Sequence, residues 1–171
     1  MKKTALILAA LLFLTTLGCS KQTQPPQTDY VLYFPPAANV SHGSALVAQP
    51  WERESEEPPG VEEMLNALLE GPQQEGLTSP FPKGVRLLRM ERDTQEPDKL
   101  VVRFSEEYSS LSNLALTLAD YSVVLTLSQL EEVEGIEIVS SSYSASYRSR
   151  WTMRAEDAEL MDPLLAERTA P

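Results

Sequence analysis

Between Leu111 and Val133 apolar side chains run round almost the whole circumference of a helix. Leu111, Leu114, Ala115, Leu118, Tyr121 and Leu125 make one stripe, while Leu116, Val123, Val124, Leu127 and Leu130 populate much of the remainder. A helix this apolar must be covered on more than one side. Lipid is excluded as the cover, because Thr117, Asp120, Ser122, Thr126, Ser128 and Gln129 interrupt the run and Glu131-Glu132 close it. The expected cover is a sheet and a second helix, with Gly135 ending the segment.

The other elements supply that cover. Tyr30 to Phe34 is a β-branched and aromatic run stopped by Pro35-Pro36, which reads as a first strand. Ala45 to Val47 reads as a short strand, and Trp51 to Glu57 as an acidic, exposed stretch. Val61, Met64, Leu65 and Leu68 follow the i, i+3, i+4, i+7 spacing of an amphipathic helix that Gly71-Pro72 stops. Val85 to Glu91 and Leu100 to Phe104 read as a hairpin, the second strand turning Leu100, Val102 and Phe104 inward. Ile136 to Val139 adds a strand, and Ser140 to Met153, alternating Tyr143, Ala145 and Tyr147 with serines, is either an edge strand or an extended tail. The order strand, helix, hairpin, long helix, strand predicts an α+β domain, a two-layer sandwich with helices on one face of a mixed sheet.

The N-terminus carries an address. Lys2-Lys3 precede an apolar and Thr run from Thr4 to Leu17, too short to span a bilayer at about 20 residues per crossing. Thr16-Leu17-Gly18-Cys19 resembles a lipobox, which implies cleavage before Cys19 and diacylglycerol on its thiol. Two or more acyl chains anchor stably. The expected organisation is a lipoprotein signal peptide at 1–18, the lipidated Cys19 and a flexible Gln- and Pro-containing tether over 19–28, a domain at 29–155, and an acidic tail at 156–171. The expected location is the extracytoplasmic face of the cell membrane. Loss of Lys2 and Lys3 makes an already acidic chain, formally −11, more acidic still, so the lipid and not the protein surface should hold it there.

That charge argues against nucleic acid as a partner, since such affinity comes from clustered Lys and Arg. The one cysteine excludes an internal disulfide and a Cys-based zinc site. His42-Gly43-Ser44 lacks the elbow and orienting carboxylate of a hydrolase and reads as a polar loop. The adjacent acids Glu62-Glu63, Glu106-Glu107 and Glu131-Glu132 read as solvated faces rather than a glycosidase pair. Asp93, Glu96 and Asp98 lack calcium-loop spacing. No catalytic residue, cofactor or metal is expected.

Basic residues are unevenly placed. The hairpin holds Arg86, Arg89, Arg92, Lys99 and Arg103, and three arginines stand without acids between Ser140 and Ala155 beside Tyr143, Tyr147 and Trp151. Arg, Tyr and Trp are enriched at the energetic centres of interfaces. The expected binding face is therefore Arg86, Arg103, Tyr143, Tyr147, Arg148, Arg150 and Trp151. The alternative is that the aromatic residues pack on an open sheet edge while the arginines pair with local acids. A second class of function is a peptidoglycan-binding module, with Trp51, Tyr143, Tyr147 or Trp151 stacked on sugar faces.

Tyr33-Phe34-Pro35, Leu68-Leu69-Glu70-Gly71-Pro72, Gly76-Leu77 with Phe81-Pro82-Lys83-Gly84, Val101 to Ser105, and Thr126-Leu127-Ser128-Gln129-Leu130 before Val133-Glu134-Gly135-Ile136 occur in a characteristic order. In this the chain resembles a GerM-type domain of the sporulation and spore-germination (GerMN) family of envelope lipoproteins, over about Tyr30 to Val139. The resemblance implies a non-catalytic α/β module, similar to the ring-building motifs of sporulation assemblies. Such a module works by contact with an envelope protein, and assembly into an oligomer stays open.

Overall fold

The fold was taken from a computed structural model, which describes residues 30–38, 44–53, 55, 57–140 and 152–160. The signal segment, Cys19, the tether, His42, and Tyr143, Tyr147, Arg148, Arg150 and Trp151 of the expected face lie outside the described residues.

Among the described residues five strands and two α-helices alternate. β1 (Val31–Phe34) pairs antiparallel with β2 (Val47–Pro50), Phe34 opposite Val47. The second strand thus starts at the last residue of the stretch read as strand, because the chain first turns through 44–46. α1 (Val61–Glu70) buries Met64, Leu65 and Leu68 and ends at Gly71, whose φ of 96° a side chain would disfavour. β3 (Leu87–Arg92) and β4 (Lys99–Phe104) form the antiparallel hairpin, and β5 (Gly135–Ser140) lies parallel to β4. The intervening crossover makes that parallel pairing possible: a short 3-10 helix, Glu106–Ser110, and α2 (Asn113–Leu127). The architecture is the expected α+β sandwich with a mixed sheet.

α2 is shorter than its apolar run, and most of its buried residues lie off the first stripe, which contributes Tyr121 to the core. Its fully buried apolar residues include Ala119, Val123, Val124 and Leu127, with Leu116 8% exposed, whereas Leu114 is 65% exposed and Ala115 is exposed. Leu116, Ala119, Val123, Val124 and Leu127 share one core with Met64, Leu65 and Leu68 of α1, Leu32 and Phe34 of β1, and Leu100, Val102, Phe104, Ile136 and Ile138 of the sheet. The helix ends at Leu127 with Ser128 as its cap, and Leu130 and Val133 return to the core from turns. Gly135 does not end the helix; it opens β5. A Cβ there would stand 2.5 Å from Thr152 Cγ2, so any side chain at this position would have to displace Thr152.

That return is an antiparallel bridge, with Ile136 and Met153 exchanging hydrogen bonds of 2.9 and 2.8 Å at the outer edge of β5. Ala155–Leu160 then forms a 3-10 helix against α2 and buries Ala158, so the first residues of the stretch expected as a tail lie on the domain.

Candidate interaction surface

The sheet register decides which side chains share its outward face. Directly opposed residues point the same way. Leu100, Val102 and Phe104 are buried, so Val101 and Arg103 face out, and with them Arg89 and Glu91 of β3 and Glu137 and Val139 of β5. Arg89 stands directly opposite Arg103, two like charges side by side.

Not every base of the hairpin is available. Lys99 is 8% exposed and reaches Asp93 and Glu137, both at 3.1 Å. Burial opposes its charge, but the hydrogen-bonded carboxylates outweigh that and raise its pKa. Asp93 accepts from the Gln95 backbone N–H, Lys99 and the Glu96 N–H, which together hold its carboxyl below the usual value. Arg92 donates to the carbonyls of Glu132 at 2.6 Å and Pro97 at 3.3 Å. Lys99 and Arg92 therefore hold the hairpin turn against the start of β5. Arg86 is exposed and lies near Glu107, whose carboxyl is lowered first by the Ser105 hydroxyl donating to it and also by the Arg86 charge. The guanidinium of Arg103 makes no hydrogen bond or ion pair among the described residues. Of the expected face, the structure brings Arg86 and Arg103 to the end of the hairpin away from its turn, and adds Arg89.

Trp51 is half-buried, with Arg53 over its ring at 5.1 Å. Arg53 is itself held by Glu63 at 2.9 Å and the Glu57 carbonyl at 2.7 Å. One face of the Trp51 ring is thus already taken.

The edges of the two sheets are treated differently. The backbone of β1 that faces away from β2 is satisfied by side chains of the α2 end. Val31 N–H donates to Gln129 Oε1 at 3.0 Å, Gln129 Nε2 returns a bond to the Val31 carbonyl at 2.7 Å, and Tyr33 N–H donates to Thr126 Oγ1 at 3.1 Å. Gln129 therefore stands in for a neighbouring strand. These are the polar residues that interrupt the apolar run, and their purpose is invisible without the fold. β3 has no such cover among the described residues. Asp93 N–H donates to the Lys99 carbonyl at 2.9 Å, and alternation from that pair turns the N–H and C=O of Glu91 and Arg89 to β4 and those of Met90 and Arg92 outward. The register shifts between Leu87 and Arg89, and Leu88, at this bulge, is 50% exposed.

Aromatic packing ties this edge to the core. Phe104 stacks on Tyr108 with centroids 4.7 Å apart and Phe81 tilts against both. Tyr108 donates to the buried Asp120 at 2.7 Å, linking the 3-10 helix to α2.

The family model Germane, described as sporulation and spore germination, matches residues 31–140. The chain belongs to that family. Its fold is shared with the first GerMN domain of the sporulation protein GerM from Bacillus subtilis, at 15% identity and a TM-score of 0.52, over 73% of this chain and 91% of that one. The tandem GerMN domains of the same Bacillus subtilis protein match at 17% identity and a TM-score of 0.47, over 67% of this chain; the chain spans 39% of that structure. No curated protein matches. The Germane match covers the whole β1 to β5 unit. Among the described residues no three His, Cys, Asp or Glu side chains gather as a metal site.

Proposed function

We propose that the chain is a lipid-anchored, non-catalytic interaction module of the bacterial envelope that serves sporulation or germination by holding an acidic protein surface. The observation that carries this reading is the opposed pair Arg89 and Arg103 on an outward sheet face, with Arg103 unpaired among the described residues, in a chain that is otherwise strongly acidic. An unpaired guanidinium beside a like charge gains most when a carboxylate approaches. Arg86, Arg103, Tyr143, Tyr147, Arg148, Arg150 and Trp151 make up the proposed face, and Cys19 carries the lipid that keeps it at the membrane. The sporulation role rests on the family membership.

The test is a photoreactive residue at Tyr147, with one at Glu63 as a control, in the full chain in its own cells. The reading expects one envelope protein to be captured at Tyr147 alone, with capture lost in Arg103→Glu while the melting temperature is unchanged. Capture of glycan, or equal capture at both positions, contradicts it. Fatty-acid labelling that persists in Cys19→Ala would contradict the anchor.

A further inference from the structure

The open edge of β3 carries a charge pattern that is complementary to itself, and from this we propose that two copies of the chain pair edge to edge, β3 against β3, antiparallel about Met90. The hydrogen-bonding phase comes first. Met90 and Arg92 present their backbone groups outward, so these residues must meet their counterparts in a second strand, which leaves only every second register. Centring the pair on Met90 lets the two Met90 residues exchange N–H to C=O bonds. It also sets Arg89 of each copy directly opposite Glu91 of the other, on the outward face. Sliding by one permitted step either way sets Arg89 against Arg89, or Glu91 against Glu91 with Arg89 facing only Asp93, a carboxylate already held by Lys99, and a parallel pair cannot match unlike charges in register. Like charges directly opposed are destabilising.

Three further observations favour a second copy. Arg89 is exposed and Glu91 half-buried, their side chains 67% and 41% accessible, and among the described residues they pair only with each other, at 2.7 Å. Pairing would give each a partner across the strands and relieve the opposition of Arg89 and Arg103. Leu88, one of two exposed large apolar side chains among the described residues, sits at the end of this edge, where a second strand would cover part of it. Among the described residues the helices make their main contacts with β1 and β5 and not with β3. A membrane tether would add effective concentration to a contact this small. The inference goes beyond the proposed function and holds whether or not the outward face captures an envelope protein.

The test places a photoreactive residue at Leu88 of the full chain in native membranes, with the same residue at Glu62 on α1 as control. The expected product is a covalent dimer of the chain at Leu88 only. Its yield should fall about tenfold in Arg89→Glu or Glu91→Arg alone and return in the double exchange, which restores both cross-strand pairs. Recovery in the double variant also shows that the substituted chains fold. A dimer insensitive to these charges, no recovery in the double exchange, or a product containing another protein's strand overturns the proposal.

Discussion

The β1 edge and the β3 edge are both strand margins, yet one is closed from within and the other is left open. At β1 the closing groups are an amide and a hydroxyl from the last turns of α2, placed so that Val31 and Tyr33 bond as they would to another strand. At β5 the returning chain does the same with backbone at Met153. At β3 there is a bulge, an exposed leucine and two opposite charges. Free strand edges invite pairing and folded proteins usually blunt them. Of these three margins two are closed by specific hydrogen bonds, and among the described residues β3 is left available for contact.

The largest expected effect comes from unsealing β1. Thr126→Val with Gln129→Leu keeps size but removes three hydrogen bonds to strand backbone, and should cost about 3 kcal/mol in urea denaturation at roughly 1 kcal/mol per bond. If the double variant is as stable as the parent, the β1 edge is not sealed in the sense argued. Opening β5 is the next test. Gly135→Val drives a side chain into Thr152 and should cost about 1–3 kcal/mol, with faster exchange of the Ile136 and Met153 amides.

Much of the frame was legible in the residues, for physical reasons that also explain what was not. Gly71-Pro72 after a 3.6-residue apolar spacing can only end a helix, and the alternation of Leu100, Val102 and Phe104 carries over directly into burial. The core side of α2 was not legible, because a helix apolar on both stripes has no preferred face until β1 and α1 choose one. Gln129 and Thr126 look like interruptions of an apolar run for the same reason: their partners are backbone groups nearly a hundred residues away. Lys99 counts as a surface base in sequence, whereas the register opposite Gly135 draws it under Asp93 and Glu137. Arg103 stands out in sequence as one base of a basic hairpin, but its opposition to Arg89 depends on the register that the turn sets, which no local signal announces.

The open margin also has a defined pH behaviour. Asp93 and Glu107 have lowered pKa values in the folded chain, so their contribution is present above the ordinary carboxylate range and is lost as pH falls through the depressed values. Lys99 is raised, so its contribution is complete below the ordinary lysine value and is lost as pH rises through the raised one. Urea midpoints should therefore agree at pH 6 and 9 and fall at pH 3, and Lys99→Met should flatten the acid loss while leaving the seal at β1 intact. The smallest effect belongs to the β3 charges themselves. In the isolated chain, Arg89→Ala or Glu91→Ala should change stability by no more than about 0.5 kcal/mol, because an exposed pair contributes little.

The central claim is that β1 is closed from within and β3 is open to another chain. Amide hydrogen exchange of the full chain in detergent micelles, followed as chain concentration is raised, reads both edges at once. The account predicts that Val31 and Tyr33 are protected at every concentration, while Met90 exchanges freely when dilute and becomes protected as the chain is concentrated. Protection of Met90 in the dilute chain, or exchange at Val31 and Tyr33 as fast as at Met90, would contradict it.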